Sequence, residues 1–253
     1  MKQYGLIGFP LSHSFSKKYF TEKFEREKIE KARYDLFPIE SVSELPNLLE
    51  QNPNLRGLNV TIPHKLNVIQ YLNHVDEGAK KAGAVNCIKI ITTENNEKVL
   101  EGYNTDVYGF EASLKPLLKP QHKRALVLGD GGAARAVKSV LKDLGITYQI
   151  VTRREAPGNL LFSDLKHQDI ADHLLIINTT PLGTYPKVED YPQIPYHALT
   201  ADHLLYDLIY NPEQTLFLKQ GADVGAQTKN GYEMLLLQAE KSWEIWTAKE
   251  NHS

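Results

Sequence analysis

The sequence predicts an α/β fold with a mainly parallel sheet. Two observations lead there. Strand-like and helix-like runs alternate along the 253 residues, the pattern of βαβ units. One short apolar run, RALVLG, leads directly into a glycine-rich turn and then a helical period, the local signature of a nucleotide-binding unit. The length leaves room for one large domain or two small ones.

The elements run in order. YGLIGF reads as a strand, and FSKKYFTEKFEREKI as an amphipathic helix with Phe15, Tyr19, Phe20 and Phe24 on one face. ARYDLFPI is extended, and SVSELPNLLEQ opens with serine caps and continues as a helix. LRGLNVTI is a strand and KLNVIQYLN a helix. AVNCIKII and VLEGYN flank TTENNE, an asparagine-rich hairpin turn. A second unit begins near VYGFEASLKPLLKPQHKRALVLG, where Pro116, Pro120 and a charged HKR mark a connection after a helix. In DGGAARAVKSVLKDLG, Val137, Val140, Leu141 and Leu144 recur at helical spacing. Gly145 is the expected stop. TYQIVT, LLIINTT and LLYDLIY supply further strands. PEQTLFLKQG reads as a helix with Pro212 near its start. TYPKVEDYPQIPY, with three prolines, is a surface loop. GYEMLLLQAEKSWEIWTAKE is a long terminal helix, in which Trp243 and Trp246 pack.

Composition narrows the function. Hydrophobic residues make up 42% and charged residues 24%, with a formal charge of −2, so no polyanion-binding surface and no nucleic-acid partner are expected. The longest apolar runs are far shorter than a membrane span, and the first residues lack the apolar core and cleavage site of a signal peptide. Cys87 is the only cysteine and the nine histidines include no HExxH, which argues against a thiolate or zincin-type metal site. The expectation is a metal-free, cytoplasmic protein, with Cys87 a small packing residue.

NVTIPHK, residues 59–65, sets polar groups where a strand ends. Val60 and Ile62 alternate as a buried strand does, and Pro63, without an N–H, stops the ladder. Strand ends are where α/β proteins build pockets.

VLGDGGAAR contains Gly129-Asp130-Gly131-Gly132-Ala133-Ala134, a G-x-G-x-x-A between strand and helix. Gly129 permits the tight turn, Gly131 leaves room for a pyrophosphate, and Ala134 lets helix and strand pack closely. The helix N-terminus offers N–H groups and partial positive charge to phosphates. An NAD site favours an acidic residue at the end of the next strand, for the ribose 2′-hydroxyl. This chain has Thr152-Arg153-Arg154 there. Guanidinium forks match phosphate oxygens, which points to NADP.

GFPLSHSFSKKYF, GLNVTIPHK, AGAVNCI, GYNTDVYGF, GDGGAARAV, NTTPLG, YDLIYNP and NGYEMLLLQ occur in this order. Together they closely resemble the shikimate dehydrogenase family, from residue 4 to about residue 243. The resemblance implies a discontinuous α/β substrate domain, residues 1–106 completed by 231–253. It also implies a Rossmann-like NADP-binding domain over 107–230, with an interdomain cleft. It implies reversible reduction of 3-dehydroshikimate to shikimate with NADPH, by a monomer or a homodimer.

Site residues are implied by the same resemblance. Ser12 and Ser14 match ligands of the substrate carboxylate, and Asn59 and Thr61 line the ring pocket. Lys65 matches the catalytic lysine, paired to Asp106. Asn86 and Asp106 match ring-hydroxyl ligands, and Tyr210 and Gln238 further substrate contacts. The cofactor positions are Gly129, Asp130, Gly131, Gly132 and Ala133, the Thr152-Arg153-Arg154 turn, Leu208 and Gly231, with Glu77 able to approach the nicotinamide end. Ser16 is left as a helix cap, and His13 and His64 receive no chemistry. An ammonium at Lys65 can donate a proton to a developing alkoxide. Burial lowers a lysine pKa whereas a nearby aspartate raises it, so the two effects oppose.

Two places depart from the family's usual pattern. Asp130 occupies a position that is commonly small or neutral, and TRRE lacks the asparagine of the frequent NRT turn. Two rivals remain. A quinate/shikimate dehydrogenase with relaxed substrate or NAD use is disfavoured by the TRR turn and by Ser14. A non-catalytic NADP-binding sensor has no evident need for both Lys65 and Asp106.

Overall fold

The computed structural model describes residues 1–11 and 14–248. The chain forms two compact units, Met1–Thr105 with Ala239–Ser253, and Asp106–Gln238.

In unit 1 the strands are β1 (Lys2–Gly8), β2 (Ala32–Pro38), β3 (Leu55–Val60), β4 (His74–Val75), β5 (Cys87–Thr92) and β6 (Lys98–Tyr103). Helices α1 (Phe15–Arg26), α2 (Leu45–Gln51) and α3 (Glu77–Ala82) lie between them. The sheet order is β2-β1-β3-β5-β6-β4. β1 runs parallel to β2 and β3, whereas β5 is antiparallel to both β3 and β6. The TTENNE turn explains the reversal: it closes a β5–β6 hairpin, with Asn96 at positive φ, a conformation asparagine tolerates.

Unit 2 begins within α4 (Thr105–Leu114) and holds β7 (Arg124–Leu128), α5 (Gly132–Asp143), β8 (Thr147–Thr152), β9 (Leu160–Leu161) and α6 (His167–Asp172). β10 (Leu175–Asn178), β11 (Leu204–Asp207), α7 (Leu216–Ala222), β12 (Gln227–Lys229) and the start of α8 (Tyr232–Thr247) complete it. The sheet is parallel throughout, in the order β12-β11-β10-β7-β8-β9. Counted from β7, this is the 3-2-1-4-5-6 order of the doubly wound nucleotide-binding fold. Ala125 and Val127 face one core layer while Leu126 and Leu128 face the other, so an unbroken apolar strand is what two-sided burial requires. Gly145 ends α5 at φ 69. Its N–H bonds to Lys142 O and that of Ile146 to Leu141 O, the Schellman pair.

Aromatic rings fill one core of unit 1. Tyr4, Phe20, Phe24, Tyr34, Trp243 and Trp246 share a cluster with Cys87, which is fully buried. Trp246 stacks on Tyr4 at 5.1 Å and donates its Nε1–H to Ile88 O at 2.9 Å. A side chain at Gly57 would run into the Trp246 ring. Lys23, almost wholly buried, ties α1 to α8 by bonding Glu240 at 2.7 Å and Glu27 at 2.9 Å.

Four readings of the sequence need correction. β3 ends at Val60, and Ile62 stands exposed beyond it rather than buried in the strand, since Pro63 has no N–H to extend the ladder. KLNVIQYLN forms only a five-residue 3₁₀ turn, Asn67–Tyr71. The sheet edge claims the residues after it: Asn73 N–H bonds to Leu100 O, its side chain accepts from Leu100 N, and His74–Val75 pairs with β6. Ser14, not Ser16, caps α1, accepting from Lys17 N at 3.3 Å. Pro212 precedes α7 rather than starting it, because Thr215 caps that helix through Leu218 N.

Candidate functional site

The carboxyl ends of β7, β8 and β10 surround a cleft of about 500 Å³ in unit 2. Its lining includes Gly129, Asp130 and Gly131 after β7, Thr152, Arg153 and Arg154 after β8, and Thr179–Leu182 after β10. The direction of chain travel reverses between β7 and β10, the switch point where doubly wound sheets bind ligands.

Each loop is shaped by residue type. Gly129 sits at φ +99, and a Cβ there would lie 2.9 Å from Thr180 Cγ2. At Gly131 and Gly132 an added Cβ meets nothing within 4 Å, so the space before the helix is open to an incoming group. Gly131 is the N-cap of α5 without a side-chain cap, which leaves the backbone donors of the first turn to face a ligand. After β8, Thr152 Oγ1 donates to Arg154 O at 2.8 Å and closes the turn. Arg153 and Arg154 are exposed, and neither makes an ion pair among the described residues. Asp130 pairs with Lys138 of α5.

The cleft wall after β10 rests on a buried polar relay that the sequence did not reveal. Asn178 Oδ1 accepts from Thr180 N at 3.0 Å and Thr180 Oγ1 at 2.7 Å. Asn178 Nδ2 donates to Asp207 Oδ1 at 3.0 Å. Asp207 also accepts from Ile209 N at 3.1 Å and from Thr215 Oγ1 at 2.6 Å. Asn178 and Asp207 are both fully buried. Burial outweighs the three donors and raises the Asp207 carboxyl from 3.8 to about 6. Since folding raises this pKa, the contribution of Asp207 to stability is full below pH 3.8 and is lost as the pH rises through about 6. Asp207→Asn keeps an oxygen for Asn178 and Ile209, and the Thr215 hydroxyl can turn to accept from the new amide. Thermal unfolding between pH 4 and 8 is therefore expected to show a Tm gain for Asp207→Asn over wild type that grows with pH. A pH-independent difference would refute the assignment.

Leu208 and Gly231 lie against each other. The Gly231 N–H donates to Ile209 O at 2.9 Å, and a Cβ at Gly231 would collide with Leu208 O. Tyr210 is about 39% exposed, and partial burial raises its hydroxyl pKa. Gln238 is buried and donates to Leu235 O at 2.9 Å. Asp106 stands in the first turn of α4.

Unit 1 carries the other group of residues named from the sequence. Asn59 on β3 faces Leu6 of β1 and Cys87 of β5 in register. Its Oδ1 accepts from Tyr34 OH at 2.8 Å, and its Nδ2 donates to Ser242 Oγ at 3.0 Å and Asn86 O at 3.4 Å. Both amide donors are thus committed inside the unit. Asn86 Oδ1 accepts from Thr105 N at 2.7 Å and Thr105 Oγ1 at 3.2 Å, while its Nδ2 has no partner among the described residues. Thr61 and Lys65 are half-buried just past β3. The Lys65 segment is fixed by its backbone, since Val85 N–H donates to Lys65 O at 2.8 Å. His64 is buried and bonds Ile39 O, a packing role. Glu77 is exposed at the start of α3 and pairs with Lys80 at 2.6 Å, which lowers its pKa. Ser12 lies outside the described residues.

Missed from the sequence were Phe162 and Thr179–Leu182, which line the cleft, and the Asn178–Asp207 relay. NTTPLG and YDLIYNP were conspicuous as strings, but only the fold sets them side by side.

The strand order, switch-point cleft and glycine turn define an α/β protein with a Rossmann-type unit. Comparison with known proteins narrows this. Residues 6–88 match the shikimate dehydrogenase substrate binding domain. The shikimate dehydrogenase (NADP(+)) of Clostridium beijerinckii is 42% identical over 97% of this chain and 92% of its own length. A chorismate mutase/shikimate 5-dehydrogenase fusion protein from Clostridium acetobutylicum is similar at TM-score 0.82 and 36% identity, over 99% of this chain and 92% of that one. Shikimate 5-dehydrogenase from Thermus thermophilus, solved in complex with NADP(H) and shikimate, gives TM-score 0.82 at 27% identity, over 98% and 94%. The chain belongs to the shikimate dehydrogenase family.

Among the described residues no helix is long and apolar enough to cross a membrane, and no group of three or more His, Cys, Asp or Glu could hold a metal ion.

Proposed function

We propose that this protein catalyses the reversible NADPH-dependent reduction of 3-dehydroshikimate to shikimate, a step of aromatic amino acid biosynthesis. The family supports the reaction. The observation that carries the cofactor reading is the pair of exposed arginines beside a glycine turn at the switch point. The backbone of Gly129, Asp130, Gly131, Gly132 and Ala133 would cradle the pyrophosphate, and Arg153 and Arg154, on a turn closed by Thr152, would hold the 2′-phosphate. Leu208 and Gly231 border the nicotinamide, with Glu77 an outlying contact. Bound NADPH supplies hydride to the carbonyl carbon.

Lys65 donates a proton to the oxygen as charge develops there, and accepts one from the hydroxyl in the oxidising direction. The uncommitted Asn86 amide and the Asp106 carboxylate hold ring hydroxyls. Ser12 and Ser14 hold the carboxylate; the Ser14 hydroxyl accepts from Lys17 N and retains its own hydrogen to donate. Thr61, Tyr210 and Gln238 complete the ring contacts, while Asn59 steadies Tyr34 and Asn86. The single, buried Cys87 suits a reducing, cytoplasmic setting.

One spectrophotometric assay tests this, with shikimate or quinate against NADP or NAD. Shikimate with NADP is expected to turn over far faster than any other pair. Binding of NADP without turnover of either polyol would leave a nucleotide sensor instead.

A further inference from the structure

Asp130 poses an electrostatic problem for the proposed cofactor site: an acidic residue is among those lining the cleft where a pyrophosphate would lie. Like charges that share a cleft repel, and solvent and salt reduce that repulsion where the groups are exposed. The structure places the ammonium of Lys138 against that carboxylate. Lys138 lies well inside α5, yet its side chain reaches back to the loop before the helix. A cation at a helix N-terminus opposes the helix dipole, so the dipole alone gives no reason for it. The residues that line the cleft include two basic ones, Arg153 and Arg154, and one acidic one, Asp130. Lys138 cancels the negative one and leaves the guanidinium pair uncompensated.

We propose that Lys138 is a cofactor-affinity residue, a counter-charge that makes the Asp130 loop compatible with a dinucleotide pyrophosphate. This rests on the NADP reading above. The side chains are 27% and 40% exposed, so the effect is moderate and salt-sensitive. Because the pyrophosphate is common to both nicotinamide dinucleotides, Lys138 acts on NADPH and NADH alike, unlike a residue that holds the 2′-phosphate.

The test is a titration of nucleotide into purified wild type, Lys138→Met, Asp130→Asn and the double variant, followed by cofactor fluorescence at about 0.02 M and about 0.3 M salt. Lys138→Met is expected to weaken NADPH and NADH about three- to fivefold at low salt, an effect of the size seen for exposed pairs. Asp130→Asn should tighten both by about two- to fivefold, since it leaves the ammonium facing the phosphates. The double variant should return near wild type, and all differences should shrink at high salt. Both side chains are partly exposed, so the variants are expected to fold, and thermal unfolding verifies this. Wild-type affinity in Lys138→Met at both salts overturns the proposal, as does a loss confined to NADPH. Failure of wild type to bind either nucleotide defeats the cofactor reading instead.

Discussion

Lys65→Met is expected to lower kcat by about 10²- to 10⁴-fold, the range that one general acid-base group contributes. Methionine preserves the apolar stem and removes the ammonium. The fold should survive, because methionine keeps the backbone bond from Val85 N–H to Lys65 O and leaves the buried His64 next to it bonded to Ile39 O. KM for shikimate should change little, since the lost interaction belongs to the proton in flight. Steady-state kinetics in both directions, with a thermal melt as control, decide it. A fall of less than about threefold in the chemical step removes Lys65 from the mechanism.

Arg153→Ala is expected to weaken NADPH by about ten- to a hundredfold, the equivalent of one charge-assisted hydrogen bond of roughly 1.5–3 kcal/mol. NADH should be nearly unaffected. Arg153 is exposed at the cleft and forms no ion pair among the described residues, so its removal leaves no buried partner stranded. Equal losses for both cofactors would reassign Arg153 to the shared pyrophosphate or to the fold.

Both predictions use residues that the sequence made visible, for a physical reason. Lys65, Gly129 and Arg153 sit just past strands, and a strand end is marked by local signals: an apolar run, then a glycine, proline or charge. α5 was legible for the same reason, with its helical period and the stop at Gly145. Elements of two or three residues, β4, β9 and β12, carry no period to detect. α3 had its signals, the Asp76 cap and Gly83 at φ 62, but its apolar face is only Ala79 and Ala82. KLNVIQYLN had an apolar pattern and lost to the edge of the sheet. Asp207 was least legible. Its meaning depends on Asn178 and Thr215, which approach it only after β10 and β11 pair, and no single-sequence pattern encodes that.

The aromatic core of unit 1 holds both tryptophans of the chain, and this divides the molecule spectroscopically. Indole emission reports only on unit 1, while the Rossmann-type unit is dark at that wavelength. Far-ultraviolet circular dichroism sees the helices of both. Denaturation followed by the two signals thus measures whether the units melt as one cooperative body or in succession. Saturating NADPH should delay only the transition that belongs to the dark unit, if the two melt apart.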